Sequence, residues 1–125
     1  MFTDTLLVAV GAALGGAGRH LVGVLMKSSG GFPWSTFAVN VLGSLVLGGL
    51  SGWLARAGSD GAGASQMIRC FAVVGVCGGF TTFSTFSNDA FRMLENSQWG
   101  LAAAYVSASV VFGLLAVFLG YLISR

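Results

Sequence analysis

One stretch of this sequence concentrates groups that can bind ions weakly. Residues 75–88 read Gly-Val-Cys-Gly-Gly-Phe-Thr-Thr-Phe-Ser-Thr-Phe-Ser-Asn, with Phe80, Phe83 and Phe86 at every third position. Hydroxyls donate to anions. A broken helix exposes carbonyls that hold a cation and N–H groups that meet an anion. The positive edge of a phenylalanine ring faces an anion without the full charge that would trap it. A pore requires such weak binding, because tight binding stops release. The competing reading of the Phe80/Phe83/Phe86 stripe is packing surface, the usual fate of aromatics at helical spacing.

Other polar residues lie in apolar surroundings. Asn40 stands alone in Phe-Ala-Val-Asn-Val-Leu-Gly, with Thr36 one turn before it. An intramembrane Asn makes an interhelical hydrogen bond or offers its amide donors to a passing anion. Tyr105 and Ser109 are four apart and share a helix face, whereas Ser107 points elsewhere. Arg19 is expensive inside a membrane, and its place near the end of an apolar segment allows it to snorkel to a vestibule. His20 beside it reads as packing or interfacial, and Cys70 and Cys77 as small buried hydrophobes, being too far apart to bridge within one helix. There is no Walker A lysine, HExxH or GxSxG pattern, and the glycine-rich residues 11–18 lack the strand context of a nucleotide site. The expectation is therefore that the protein is not an enzyme.

The elements that must position these groups follow from charge and hydropathy. Of 125 residues, 55% are hydrophobic and only 8% charged, against about 25% charged in an ordinary soluble domain. Mean hydropathy is +0.86. Ten charges cannot cover a soluble surface, two Cys cannot staple a secreted scaffold, and a net charge of +2 does not suit a nucleic-acid binder. An integral membrane protein in contact with lipid remains. Uncharged runs of 28, 19 and 29 residues follow Lys27, Arg69 and Glu95, and a bilayer crossing takes ~20 apolar residues. The reading is one all-α transmembrane domain, 1–125, with spans at about 5–26, 35–55, 67–94 and 98–123. Asp4 stands where a signal peptide would carry a basic residue, so the first span is expected to be retained. Residues 27–33 hold the only Pro, just before the second span, and residues 58–63 form a flexible loop. The short link at 95–98 predicts antiparallel third and fourth helices.

Arg56, Arg69 and Arg125 fall on one side of the membrane, and Lys27, Arg92 and a snorkelling Arg19 on the other. That balance leaves the positive-inside rule little to act on and favours insertion in both orientations, a weak unseen bias being the alternative. Gly11-xxx-Gly15, Gly48-xxx-Gly52 and Gly75-xxx-Gly79 predict close helix packing and an oligomer. For the third span two readings stay open. It is broken at the Gly-Gly and Thr-rich centre, or it is continuous with Ser and Thr bonded back to their own carbonyls.

Three segments carry a resemblance that spans essentially the whole chain: Gly-Gly-Ala-Gly-Arg-His at 15–20, Ser-Thr-Phe-Ala-Val-Asn-Val-Leu-Gly at 35–43, and Gly-Gly-Phe-Thr-Thr-Phe-Ser-Thr-Phe-Ser at 78–87. The last is highly specific. The sequence resembles the Fluc (CrcB) family of fluoride channels. The resemblance implies an antiparallel, dual-topology homodimer of four-helix subunits, each with a third helix broken near the midplane. It further implies two fluoride pores, passive fluoride export across a bacterial inner membrane, and a structural sodium ion at the dimer interface. No other protein partner is implied. By motif, Phe83 and Phe86 line the pore and Asn40 is its amide. Thr36, Ser84, Thr85, Tyr105 and Ser109 supply polar groups, and Arg19 is the vestibule arginine. The sodium ligands implied are the main-chain carbonyls of Gly78 and Thr81. Gly113 departs from a Ser found in some relatives, Asp89 stands where relatives often carry Glu, and His20 and Phe80 are assigned no role.

Two other functions fit four short spans. A small cation or drug exporter needs an acidic residue in the first span, and residues 5–26 have none. A purely structural membrane subunit would use Phe83 and Phe86 for packing alone.

Overall fold

The computed structural model describes residues 1–27, 30–58 and 62–125. Of the flexible connection expected at 58–63, residues 59–61 lie outside the described residues, as does the Ser pair at 28–29, whereas residues 62–63 already belong to a helix. The chain is all-helical: α1 (Phe2–Leu25), α2 (Trp34–Ala57), α3 (Ala62–Ile68), a π-helical segment (Arg69–Cys77), α4 (Gly78–Phe80), α5 (Phe83–Glu95) and α6 (Trp99–Ser124). Among the described residues, four stretches are long and apolar enough to cross a membrane: Phe2–Leu25, Trp34–Ala57, Gly63–Glu95 and Trp99–Ser124. The third runs through α3, the π-helical segment, α4 and α5.

The punctuation is local chemistry. Pro33 caps α2, where a missing N–H and a fixed φ do no harm. Gly58 ends it at φ 68°, a left-handed value that Gly adopts without strain. After α5, the N–H of Gln98 reaches the Met93 carbonyl at 2.8 Å and that of Ser97 reaches Leu94 at 3.0 Å. This is a Schellman closure, with Ser97 at φ 59° in the place Gly usually takes. The tight turn delivers α6 back beside α5, where Met93, Ala102 and Tyr105 form a buried cluster.

Two parallel helix pairs make the frame. All three GxxxG pairs sit at backbone-to-backbone contacts, because with no hydrophobic drive in lipid the helices must approach closely to gain dispersion. A Cβ on Gly75 would lie 2.9 Å from Gly11 Cα, and one on Gly15 would strike the Val76 carbonyl and sit 2.7 Å from Phe80 N. These contacts seat α1 against the π-helical segment and α4. In the second pair, a Cβ on Gly48 would strike the Val117 carbonyl, and one on Gly52 would lie 2.5 Å from the Tyr121 carbonyl. Gly120 completes that seam against Leu45 and Gly49 of α2. The most extensive contact of α6 is thus with α2, and its contact with α5 is smaller.

The third span is broken, which decides between the two readings left open above. Its first part leaves α-helical winding at Arg69, and the Gly78 N–H reaches back five residues to the Val73 carbonyl. Such π-winding recurs at functional sites. Thr81 (φ −81°, ψ 156°) and Thr82 (φ −152°, ψ 122°) are then fully extended. The chain resumes as α5, with the Thr82 hydroxyl accepting the Thr85 N–H at 3.2 Å as an N-cap.

Candidate functional site

Asn40 on α2 holds the break open. Its Nδ2 donates to the Thr82 carbonyl at 3.2 Å, and its Oδ1 accepts the Thr82 N–H at 2.8 Å. The side chain therefore replaces both partners that a continuous helix would have provided. Of the two readings of an intramembrane Asn, the hydrogen bond across helices is made. A carboxamide has two N–H groups, so one remains for a ligand.

That pairing has a consequence for the backbone. In a continuous helix the Thr82 N–H would close on the Gly78 carbonyl and the Thr85 N–H on the Thr81 carbonyl. Here Asn40 takes the first donor and the Thr82 hydroxyl takes the second. The carbonyls of Gly78 and Thr81 thus lose their helical donors together. Nothing lies within 4 Å of a Cβ added at Gly78, so there is open space beside it. Two carbonyls freed of their helical donors suit a hard cation that takes oxygen ligands. Among the described residues, no group of three or more His, Cys, Asp or Glu could hold a metal ion.

Two cavities share Thr82. The wider, about 540 Å³, is lined by Arg19, His20, Lys27, Thr36, Thr82 and Thr85 among others. Arg19 is half-buried in its wall. The narrower, about 290 Å³, brings together Asn40, Thr82, Phe83, Phe86, Ser109 and Ser44. The Phe83 and Phe86 rings stand 5.9 Å apart at 37°, and Phe86 stands 5.1 Å from the Tyr105 ring. Phe83 is 78% exposed, whereas Phe86 packs against the Met93–Ala102–Tyr105 cluster. The Ser109 Oγ is buried with no hydrogen-bond partner among the described residues, a donor left for a ligand because an unmade buried bond is costly.

A carboxylate ties three elements behind this cavity. The Thr36 hydroxyl donates to Asp89 Oδ2 at 2.9 Å, and the Tyr105 hydroxyl reaches the same oxygen at 3.5 Å. Both groups are almost fully buried. Asp89 also borders a third cavity, of about 260 Å³, with Arg92, Asn96 and Gln98.

The expected residues therefore separate by position. Phe83, Phe86, Asn40 and Ser109 converge on one cavity. Thr36, Thr85 and Arg19 face the wider one. Tyr105 lies behind Phe86 with its hydroxyl on Asp89. Ser84 is exposed and lines none of the three cavities. Cys70 and Cys77 are free and buried. Sequence reasoning passed over Thr82, the cap on which Asn40 closes, although a Thr two residues after a Gly-Gly-Phe and before a new polar helix is an N-cap signal. It also passed over Ser44, which carries no signal beyond its spacing from Asn40.

A family model described as "CrcB-like protein, Camphor Resistance (CrcB)" matches residues 6–121. A protein of Novosphingobium aromaticivorans named "Fluoride-specific ion channel FluC" is 44% identical over 98% of this chain and 97% of its own length. One of Sphingopyxis alaskensis with the same name is 47% identical, over 94% and 92%. One of Caulobacter vibrioides, again with that name, is 44% identical over 96% and 94%.

Proposed function

The chain belongs to the CrcB family, and we propose that it is a passive fluoride channel that lets the ion leave the cytoplasm down its gradient. The family is one of ion channels, not an enzyme class. The observation that carries the reading is the narrow cavity where the Phe83–Phe86 pair meets the Asn40 carboxamide, the Thr82 break and the unpartnered Ser109 hydroxyl.

Conduction follows from the residues in order. Fluoride enters the wider cavity, where Arg19 and Lys27 raise the local anion concentration. The Thr85 hydroxyl, which accepts from the Thr82 hydroxyl at 3.2 Å and keeps its own proton to donate, begins to replace its water. Past Thr82 the ion meets the free N–H of Asn40, the Ser109 hydroxyl and the ring edges of Phe83 and Phe86. None of these is a full charge, so each holds the anion only weakly and lets it go. Asp89 takes the Thr36 and Tyr105 hydroxyls, which fixes the Tyr105 ring against Phe86 and keeps that ring at the cavity.

The working unit is a homodimer with its two copies antiparallel in the bacterial inner membrane. Three observations support a second copy: the even division of basic residues, the 78% exposure of Phe83, and the small share, 11%, of the most apolar windows of α1 and α6 that is buried within one chain. A twofold axis in the membrane plane would bring the two helix breaks together. The Gly78 and Thr81 carbonyls of each copy would then hold a sodium ion as a structural link. Bound there, sodium supplies a fixed positive charge between the two breaks.

The test is anion efflux from liposomes carrying the purified protein. Fluoride leaves and chloride stays. Chloride passing as readily as fluoride overturns the reading, and so does the absence of fluoride flux. Accessibility of a terminal tag from both sides of the membrane tests the antiparallel dimer; one-sided labelling contradicts it.

A further inference from the structure

We propose that Ser44 is a pore residue, supplying from α2 a hydroxyl to the conduction path at the level where α6 offers only Gly113. The inference rests on the fluoride-conduction reading above. Ser44 is one turn beyond Asn40, so the two share a face of α2. Ser109 and Gly113 are likewise one turn apart on α6. All four line the narrow cavity with Phe83 and Phe86. Along this cavity α6 presents a hydroxyl at Ser109 and then, one turn on, no side chain.

The register brings Ser44 opposite that gap. α2 and α6 run parallel, and Gly48, one turn past Ser44, sits on the Val117 carbonyl, one turn past Gly113. The helices therefore touch backbone to backbone just beyond the cavity. A Cβ built on Gly113 finds a single neighbour within 4 Å, the Ser44 Oγ at 3.9 Å. The space in front of Gly113 is thus open except for that hydroxyl. Ser44 is half-buried, and no hydrogen bond among the described residues uses its hydroxyl. A helical Ser commonly bonds back to the carbonyl four residues earlier; here the donor is free for an ion.

A packing role and a pore role make different predictions, because Ala fills nearly the volume of Ser. If Ser44 only separates α2 from α6, Ser44→Ala is neutral. If its hydroxyl solvates the ion, Ser44→Ala lowers fluoride flux about tenfold, the loss of one charge-assisted hydrogen bond in the path. The hydroxyl can also be moved. Gly113→Ser places one within the same gap, with room for its Cβ, so the Ser44→Ala/Gly113→Ser double variant regains most of the lost flux.

The experiment is fluoride efflux from liposomes with the wild-type chain, the Ser44→Ala variant and the double variant, each checked for intact elution in detergent. Loss in the single variant and recovery in the double support the proposal. Wild-type-like flux in Ser44→Ala overturns it, and so does a loss that Gly113→Ser does not restore. If Ser44→Ala does not elute intact, Ser44→Cys, similar in shape but a poor donor, takes its place under the same two criteria. A wild-type protein without fluoride flux would instead sink the conduction reading.

Discussion

Asn40 holds Thr82 by both of its backbone polar groups, at 2.8 Å through Oδ1 and 3.2 Å through Nδ2. One side chain on α2 thereby makes a break in another transmembrane helix affordable. Away from water, each unpaired backbone group would cost several kcal/mol. The same pairing strips the Gly78 and Thr81 carbonyls of their helical donors. Fold and site therefore share one interaction.

Asn40→Ala leaves both Thr82 groups unpaired and should destabilise the protein by about 2–6 kcal/mol. Asn40→Asp keeps the acceptor for the Thr82 N–H but loses the donor to its carbonyl and puts a negative charge at the narrow cavity, the proposed anion path. Thermal unfolding in detergent should therefore rank wild type above Asp, and Asp above Ala. Fluoride flux should be lost in both. A stable Asn40→Ala protein with normal flux would show that the break stands without this side chain.

The Asp89 carboxylate collects hydroxyls from Thr36 and Tyr105. Hydrogen bonds to charged groups are worth roughly 1.5–3 kcal/mol each, and the 2.9 Å bond from Thr36 is the stronger of the two by length. Thr36→Val should accordingly destabilise more than Tyr105→Phe, whose ring still packs on Phe86 and Phe32. In a double-mutant cycle, Thr36→Val and Asp89→Asn should couple by more than about 1 kcal/mol. Additive effects would mean that the Thr36–Asp89 bond contributes nothing to stability.

How much of this could be read from the sequence depends on whether the partner of a residue lies on its own helix. The Gly11/Gly15, Gly48/Gly52 and Gly75/Gly79 pairs announce close packing by spacing alone, and each sits at a backbone contact. The apolar runs likewise announce four spans. The break could not be decided from composition, because Gly, Thr and Ser weaken a helix but do not say what would satisfy the backbone once it opens. That answer lies 42 residues away, in Asn40. The π-helical segment carries no local signature, and its close backbone contacts are with Gly11 and Gly15 of another helix. Ser44 gains meaning only from Gly113 across the α2–α6 seam.

That seam logic can be tested with glycines of opposite surroundings. Gly11→Ala drives a Cβ into the Phe71 carbonyl and to 3.0 Å from Gly75 Cα. Backbone cannot yield as a side-chain tip does, so the change should destabilise by about 1–3 kcal/mol through overpacking. Gly100→Ala meets nothing within 4 Å and lies in α6, where Ala should stabilise by up to about 1 kcal/mol. Unfolding midpoints in detergent should therefore move in opposite directions. A Gly11→Ala protein as stable as wild type would contradict the contact between α1 and the π-helical segment.

Phe83 and Phe86 separate conduction from packing. The Phe86 ring lies 5.1 Å from Tyr105 and against the buried cluster, so Phe86→Ile should lower both stability and flux. Phe83 is 78% exposed in the single chain, so Phe83→Ile should leave the stability of a monomeric subunit nearly unchanged. Its flux should still fall by tenfold or more if the ring edge solvates the ion, because an aliphatic side chain has no positive edge to offer. The decisive comparison is Phe83→Ile in liposome efflux, with unfolding measured in parallel. Normal flux from that variant would remove the ring edge from the mechanism and return the Phe83–Phe86 pair to packing. Lost flux with unchanged unfolding and unchanged dimer assembly in detergent would assign the Phe83 ring to the path itself.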